Sequence, residues 1–158
     1  MRESVKTNIG NIGYLFLVVF VAMGIFSSCR DRNKEGLYTE TQWYENGQKE
    51  TEGIFKEGKA DGLSTMWYEN GQKKSEGTWK EGKAEGLSTV WYENGQKWME
   101  GSFKDDKKDG RYTEWYENGQ KSSEHILKDG QRDGLWTWWD KHGNITDQTT
   151  YKDGKEAK

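Results

Sequence analysis

The stretch Trp43-Tyr44-Glu45-Asn46-Gly47-Gln48-Lys49 decides the fold, because the same seven residues return at 67–73, 91–97 and 115–121. The spacing is 24 residues each time, and an altered copy, Trp-Asp-Lys-His-Gly-Asn-Ile, occupies 139–145. A fixed period of this size is typical of repeat proteins, in which one unit cannot bury its apolar surface alone and stacked neighbours bury it together. The sequence therefore predicts about five 24-residue repeats.

Each repeat carries two turn signals. Asn-Gly flanked by strand-forming residues predicts a β-hairpin with a type I′ turn, which needs positive φ at both central residues. Half a repeat later stands Lys-Glu-Gly-Lys or a close variant, and in the third repeat Asp106 replaces its glycine, which should make that turn the least comfortable. Strands of about six to eight residues between these turns predict an all-β fold, an elongated single-layer antiparallel meander of about ten strands.

The register of the hairpins sorts the side chains onto two faces. A two-residue loop at Asn70-Gly71 would place Trp67 opposite Lys74, and because the period is even, each repeat position always falls on the same face. One face, which we call the Phe face, collects Tyr44, Tyr68, Tyr92, Tyr116, Phe55, Trp79, Phe103, Leu127, Tyr151, Met66 and Val90. The other, the Trp face, collects Trp43, Trp67, Trp91, Trp115, Trp139, Leu63, Leu87 and Leu135. Mostly polar residues stand opposite the tryptophans, so the Phe face is expected to be the better buried.

The N-terminal segment has the layout of a secretory signal. Arg2 and Lys6 precede an uncharged run from Tyr14 to Phe26, and small residues then lead to Cys29, the only cysteine. Small residues followed by a lone cysteine resemble a bacterial lipobox, in which the thiol receives a diacylglyceryl group and the signal is cut just before it. The alternative is an uncleaved membrane anchor, for which this apolar run is short.

These features divide the chain into three parts. We predict a helical signal peptide over residues 1–28, a lipidated Cys29 with a polar tether over 29–36, and the repeat domain over 37–158. Several acyl chains on one residue would anchor the protein stably, whereas a single chain binds only marginally. The expected location is the cell envelope of a bacterium, on the periplasmic or cell-surface side.

Composition and motifs argue against catalysis and against nucleic acid. The chain has 27 acidic and 24 basic residues, a net charge of −3, whereas phosphate binding needs a clustered basic excess. His125 occupies a position that is glycine in earlier repeats, and a structural role accounts for it and for His142. With no nucleophile beside a base and no Cys/His metal spacing, we expect no enzyme activity, no cofactor, no metal and no nucleic-acid partner.

The repeat resembles a known family. Residues 62–73 read Gly-Leu-Ser-Thr-Met-Trp-Tyr-Glu-Asn-Gly-Gln-Lys, and 76–83 read Glu-Gly-Thr-Trp-Lys-Glu-Gly-Lys. This pattern resembles the bacterial variant of the MORN repeat, a β-hairpin unit of about this length, over about 120 residues. The resemblance implies a fold and a binding role, with no family-wide catalytic residue. Similar family members include lipoproteins and antitoxins of toxin–antitoxin systems, and others are credited with membrane or protein-scaffold roles.

Two functions are consistent with these features. The first is a non-enzymatic, lipid-anchored protein-interaction module, antitoxin-like or immunity-like, whose partner is a protein such as a toxin. The second is a carbohydrate or cell-wall binder that uses the aromatic ladder for stacking. The predicted partner-binding residues are tryptophans of the Trp face and one outside the pattern: Trp67, Trp91, Trp98, Trp115 and Trp139.

Trp98 departs from the repeat, because its position is Glu50, Lys74 or Ser122 elsewhere. The expected register places Trp98 directly opposite Trp91. Such a cross-strand pair either stiffens the sheet or forms the centre of a binding patch. In the last repeat, Trp136, Trp138 and Trp139 are interpreted as a cap, since terminal repeats are usually atypical.

Overall fold

The computed structural model describes residues 36–157, which form one antiparallel sheet in a meander. Its twelve strands are β1 (Leu37–Trp43), β2 (Lys49–Lys56), β3 (Lys59–Trp67), β4 (Lys73–Lys80), β5 (Lys83–Trp91), β6 (Lys97–Lys104), β7 (Lys107–Trp115), β8 (Lys121–Lys128), β9 (Gln131–Arg132), β10 (Gly134–Trp139), β11 (Ile145–Lys152) and β12 (Lys155–Glu156). Two of them, β9 and β12, are two residues long, which explains the excess over ten. The predicted all-β meander is confirmed.

The predicted signal peptide and the lipidated Cys29 lie outside the described residues. Between residues 36 and 157, no helix is long and apolar enough to cross a membrane.

The Asn-Gly turns differ from the prediction. The N–H of Gly71 donates to the carbonyl of Tyr68 at 2.9 Å, and in this turn only Gly71 has positive φ, 83°. The side-chain oxygen of Asn70 accepts a hydrogen bond from the N–H of Gln72 at 2.9 Å. This is a type I turn followed by a left-handed glycine, so the predicted type I′ turn at Asn-Gly is wrong.

Both central residues have positive φ at the other turn instead. Glu57 and Gly58 have φ of 50° and 79°, and the equivalent residues of the later turns match them. In the third repeat Asp105 and Asp106 take φ of 48° and 66°, so this turn keeps its shape without glycine. Asp106 also accepts a hydrogen bond from the N–H of Ala84 at 2.8 Å, which ties the turn to a neighbouring strand.

A bulge beside each Asn-Gly turn changes the predicted pairing. Trp67 lies opposite Lys73, not Lys74, and the register shifts between Met66 and Trp67. Lys74 is the extra residue on its strand, and two residues there oppose one on the partner. The same shift recurs in the equivalent hairpins of the other repeats. The two-residue loop assumed from the sequence could not include this bulge.

A second irregularity lies near the other end of the strands. Residues 61–63 oppose Ile54 alone, because Gly53 pairs with Ser64 while Phe55 pairs with Ala60. Gly62 has φ of 140° there, and a Cβ on it would lie 2.8 Å from the Cβ of Ile54. Glycine is required at this position by both its backbone conformation and the close approach.

The Phe face is the better buried, as predicted. The four buried large apolar residues all lie on it and are 2–8% exposed: Tyr38, Met99, Tyr112 and Trp136. The loop tyrosines are an exception to the predicted grouping, because they lie outside the strands. On the Trp face the buried residues are threonines: Thr65, Thr89, Thr113 and Thr137.

Each repeat makes the same contacts to the one that follows. The hydroxyl of Tyr44 donates to the carbonyl of Trp67 at 2.7 Å, and Nδ2 of Asn46 donates to the carbonyl of Glu69 at 3.0 Å. Equivalent bonds join every later pair of repeats. These contacts make the array continuous along one edge, and stability is shared between neighbours.

The fifth repeat lacks the side chains that reach forward. Asp140 and His142 stand where earlier repeats have tyrosine and asparagine, and Ile145 stands where they have lysine. Asp140 instead accepts hydrogen bonds from the N–H groups of His142 and Asn144, at 2.8 and 2.9 Å, within its own turn. The turn of the fifth repeat therefore bonds within itself, and the cap predicted at Trp136, Trp138 and Trp139 stays a prediction.

Candidate functional site

The tryptophans of the Trp face are covered by lysines. The Nζ of Lys49 lies 5.6 Å from the ring centre of Trp67 and forms an ion pair with Glu52. The same Lys–Trp contact, at 5.7–5.9 Å, covers Trp91, Trp115 and Trp139. Trp43 has no such lysine among the described residues and is 37% exposed. Four of the five rings are therefore partly occupied by an intramolecular cation–π contact.

A polar row runs through the centre of the Trp face. The register places one residue of each of the ten longer strands in this row: Thr41, Glu52, Thr65, Glu76, Thr89, Glu100, Thr113, Glu124, Thr137 and Gln148. The threonine hydroxyls lie beside carboxylates, as in the 3.4 Å hydrogen bond from Thr65 to Glu76. A hydrogen bond from Lys121 lowers the pKa of the Glu124 carboxyl. The row separates the tryptophans from the aliphatic residues of the same face.

Exposed aliphatic side chains lie on the far side of this polar row. Leu63, Leu87 and Leu135 occupy equivalent positions and are 47%, 55% and 47% exposed. Arg111 holds the fourth equivalent position, and Ile126, which pairs with it, is 40% exposed. Exposed apolar side chains that recur at one position of the repeat make this edge the candidate contact surface of the Trp face.

Trp98 does not lie where the sequence placed it. Trp91 pairs with Lys97, and Trp98 is the extra residue of the bulge. Its ring lies 6.2 Å from that of Tyr92 at an interplanar angle of 46°, and the residue is 39% exposed. The predicted cross-strand pair of Trp91 and Trp98 is therefore wrong, because the bulge takes Trp98 out of the ladder.

Sequence reasoning missed a concentration of rings and cations on the Phe face. Two positions of this face are small on the earlier strands: Ala60 and Ser64 on β3, and Ala84 and Ser88 on β5. The same two positions are large on the later strands. They are Lys108 and Tyr112 on β7, then Arg132 on β9 and Trp136 on β10. The two positions change together along the chain. This joint change can be seen by comparing the repeats in the sequence. The sequence does not show that the two side chains touch, because their contact depends on the bulge between the two positions.

We call this group the C-terminal cluster: Lys108, Tyr112, His125, Arg132, Trp136, Trp138 and Tyr151. The ring of His125 stacks on Trp136 at 3.9 Å and on Tyr112 at 6.4 Å. Lys108 Nζ lies 3.9 Å above the ring of Tyr112. The guanidinium of Arg132 lies 4.5 Å from the ring of Trp136. Aromatic rings and arginine in close packing are the residue types enriched in interface hot spots.

Burial perturbs the ionisable groups of the C-terminal cluster. It lowers the pKa of His125 to about 4, with smaller contributions from Lys108 and Arg132, so the imidazole is neutral at pH 7. Burial also lowers the pKa of Lys108 and raises that of Tyr112. The hydroxyl of Tyr112 and Nε2 of His125 have no hydrogen-bond partner among the described residues. Such buried polar atoms lower stability and are uncommon in native proteins.

The described residues contain no group of three or more His, Cys, Asp or Glu side chains placed to hold a metal ion. The arrangement offers instead two different surfaces on one sheet. The Trp face presents covered tryptophans and exposed leucines, and the Phe face presents the C-terminal cluster.

The stacked hairpins, joined by the same contacts from repeat to repeat, define a β-hairpin repeat protein. Family comparison agrees, since the model of the MORN repeat variant matches residues 39–57, 60–81, 84–105, 108–129 and 132–153. These five matches cover more than half of the chain, which therefore belongs to the MORN repeat variant family. Repeats of this family indicate a protein-interaction or membrane-binding module. A comparison with curated proteins finds no match.

Proposed function

We propose that this protein is a non-enzymatic interaction module, anchored to the bacterial envelope membrane through acyl chains on Cys29, and that it binds a protein partner on the Trp face. The exposed leucine row carries this proposal. Leu63 and Leu87 are about half exposed, at 47% and 55%, although a rigid sheet holds them in line. Burying such side chains against a partner yields about 25 cal/mol per Å² of apolar surface.

The covered tryptophans favour a protein partner over a carbohydrate. A sugar stacks on an open ring face, but a lysine approaches Trp67, Trp91, Trp115 and Trp139. An approaching protein can use the lysines and the ring edges together with the leucines. The resemblance to antitoxin-type members of the family makes a toxin met outside the inner membrane one candidate partner.

Cross-linking in intact cells tests the surface. The full-length tagged chain is compared with Leu63→Thr/Leu87→Thr, and the control is Val90→Thr, which replaces a partly exposed aliphatic residue of the Phe face. We expect the Leu variant to lose the partner recovered with the parent chain, while the control keeps it. Equal recovery with both variants would show that the Trp face is not the binding surface.

Labelling with a palmitate analogue tests the anchor. The parent chain should take up label and Cys29→Ala should not, because the thiol is the predicted acceptor. Label that persists after the substitution, or a mature protein that still carries residues 1–28, would contradict the lipoprotein assignment.

A further inference from the structure

We propose that Lys108 and Arg132, held on the rings of the C-terminal cluster, form a docking site for an acidic segment of a protein partner. This site lies on the Phe face and is separate from the leucine row, so it goes beyond the function proposed above. Three observations support it: the two cations form no ion pair within the described residues, aromatic rings support them, and two buried polar atoms of the cluster have no hydrogen-bond partner there.

The two cations lack the ion pairs that the lysines beside the tryptophans of the Trp face have. Lysines 49, 73, 97 and 121 each form an ion pair with a glutamate three residues on. Lys108 and Arg132 form none among the described residues. Glu114, whose charge acts on Lys108, accepts a hydrogen bond from the Ser123 hydroxyl at 3.0 Å. The charge of the cluster is therefore available to carboxylates from outside.

Aromatic rings hold the two cations in place. Arg132 lies between Trp136 and Tyr151, at 4.5 and 4.9 Å from the ring centres, and donates to the hydroxyl of Tyr151 at 2.9 Å. The Nζ of Lys108 lies over the ring of Tyr112, 3.9 Å from the ring centre. A fixed cation loses less side-chain entropy on binding than a free one, and its guanidinium or ammonium still has donors to offer a carboxylate.

Unsatisfied atoms lie at the base of the same cluster. Tyr112 is 2% exposed, and its hydroxyl lacks a partner among the described residues, as does Nε2 of His125. Such atoms add nothing to stability, so packing alone does not account for the residues that carry them. On β3 and β5 the equivalent positions hold alanine and serine, so the repeat does not need these residues to fold.

A protein segment fits the site better than a membrane surface does. Binding to anionic lipids typically uses about four to eight clustered basic residues, whereas this cluster offers two cations among five rings. Rings with a central arginine are typical of protein interfaces, where carboxylates meet the guanidinium in paired hydrogen bonds. Vesicle binding is therefore the competing result in the test.

The test measures anisotropy of a fluorescein-labelled oligoglutamate peptide with the full-length chain in detergent. The main variant is Lys108→Ala/Arg132→Ala, which restores the alanine of positions 60 and 84. It should bind at least about tenfold more weakly than the parent chain. The exchange Lys108→Arg/Arg132→Lys keeps both charges but gives position 132 an ammonium, which cannot form paired hydrogen bonds with a carboxylate, so it should bind more weakly than the parent and more tightly than the alanine variant. Circular dichroism should show all chains folded.

Lys104→Ala/Lys128→Ala is the matched control, since it removes two exposed lysines of neighbouring strands outside the cluster. Its affinity should stay within about twofold of the parent chain's. Equal losses in the control and the main variant would overturn the proposal, as would no binding of oligoglutamate by the parent chain. A third result would also overturn it: phosphatidylglycerol vesicles bind in a way that depends on Lys108 and Arg132, while oligoglutamate binding does not depend on them. Leu63→Thr/Leu87→Thr should leave peptide binding unchanged, so this site and the Trp face fail or succeed separately.

Discussion

The two halves of the Phe face differ at two positions of the repeat, which hold small side chains on one side and rings and cations on the other. On β3 and β5 its central positions hold Ala60, Ser64, Ala84 and Ser88, whereas on β7, β9 and β10 they hold Lys108, Tyr112, Arg132 and Trp136. The pairing of β2 with β3, β4 with β5 and β6 with β7 is the same, whereas the strand opposite β8 is divided into β9 and β10. The backbone of this repeat therefore tolerates very different side chains, and the face can be specialised without changing the fold.

The glycine position of the second strand shows how the change is accommodated. A Cβ on Gly77 would lie 3.3 Å from Oγ of Ser88, but a Cβ on Gly101 would lie 2.2 Å from Cδ2 of Tyr112. The ring of Tyr112 lies directly on Gly101, so the ring fits only because residue 101 has no side chain. On β8 the position equivalent to Gly77 and Gly101 holds His125, whose ring lies between those of Tyr112 and Trp136.

The largest expected effect separates these two glycines. Gly101→Ala should lower the free energy of unfolding by about 3 kcal/mol, because the new methyl group overlaps a buried ring. Gly77→Ala should change it by less than about 1 kcal/mol, since a serine hydroxyl can rotate away and alanine is favoured over glycine in a strand. Urea unfolding followed by circular dichroism measures both.

Gly101→Ala/Tyr112→Ser is the control for this comparison, because it restores the serine of β3 and β5. We expect it to be more stable than Gly101→Ala alone. Equal losses for Gly77→Ala and Gly101→Ala would contradict the difference between the two halves.

The turn edge should show no such difference. Gly71 and Gly119 have φ of 83° and 82°, and a Cβ on either would lie 2.7 or 2.6 Å from Oε1 of a glutamine in the preceding repeat. Gly71→Val and Gly119→Val should each lower the unfolding free energy by about 2 kcal/mol, through strain and overlap. Thermal unfolding by calorimetry compares them, and unequal losses would extend the asymmetry beyond the Phe face.

Acid should destabilise the C-terminal half selectively. The pKa of His125 is about 4 in the folded chain and about 6.5 when unfolded, so its contribution is complete above pH 6.5 and is lost as pH falls towards 4. After allowance for solvent screening, the parent chain should lose on the order of 1–2 kcal/mol more than His125→Phe between pH 7 and 4. The phenylalanine keeps the stacked ring but cannot take up a proton.

Denaturant titrations at several pH values measure this loss. The neighbouring groups that act on His125 are Lys108, Arg132 and Glu124, and all three remain in the variant. Parallel pH profiles for the parent chain and His125→Phe would show that the imidazole is not held neutral by burial.

The smallest effect concerns the Lys–Trp contacts of the Trp face, which are alike in both halves. Lys73→Ala removes the contact with Trp91 and the ion pair with Glu76, and Lys121→Ala does the same to Trp139 and Glu124. Both pairs are partly exposed, so each loss should be about 0.5 kcal/mol and should shrink in salt. Unfolding at two salt concentrations measures it; a difference above about 1 kcal/mol between the variants would show that the Trp face is also asymmetric.

The period of the sequence was enough to predict the meander and the content of its faces. Even spacing keeps each position on one side, and Trp67, Leu63 and Phe55 all lie on the predicted faces. The turn conformations were not predictable in the same way. An Asn-Gly pair is compatible with more than one type of hairpin loop. The type I loop with a left-handed glycine occurs together with contacts to the next repeat, such as the hydrogen bond from Asn46 to Glu69.

The candidate sites were predictable only in part. The exposed leucines follow from register, but the position of Trp98 required knowledge of the bulge beside it. The C-terminal cluster also depends on a bulge, because it sets the geometry between Lys108 and Tyr112. An extra residue in a strand is decided by packing across strands, which single-sequence periodicity does not describe.

The forward-reaching contacts also make the array a molecular ruler. Tyr44, Asn46 and Lys49 contact the next repeat, and all four regular repeats share these residues. Removing or adding an internal repeat would therefore keep these three contacts between neighbours. Two strands at about 4.8 Å each set the step at about 9.6 Å per repeat. Gene duplication can therefore adjust the distance between the start of the sheet and the C-terminal cluster in fixed steps.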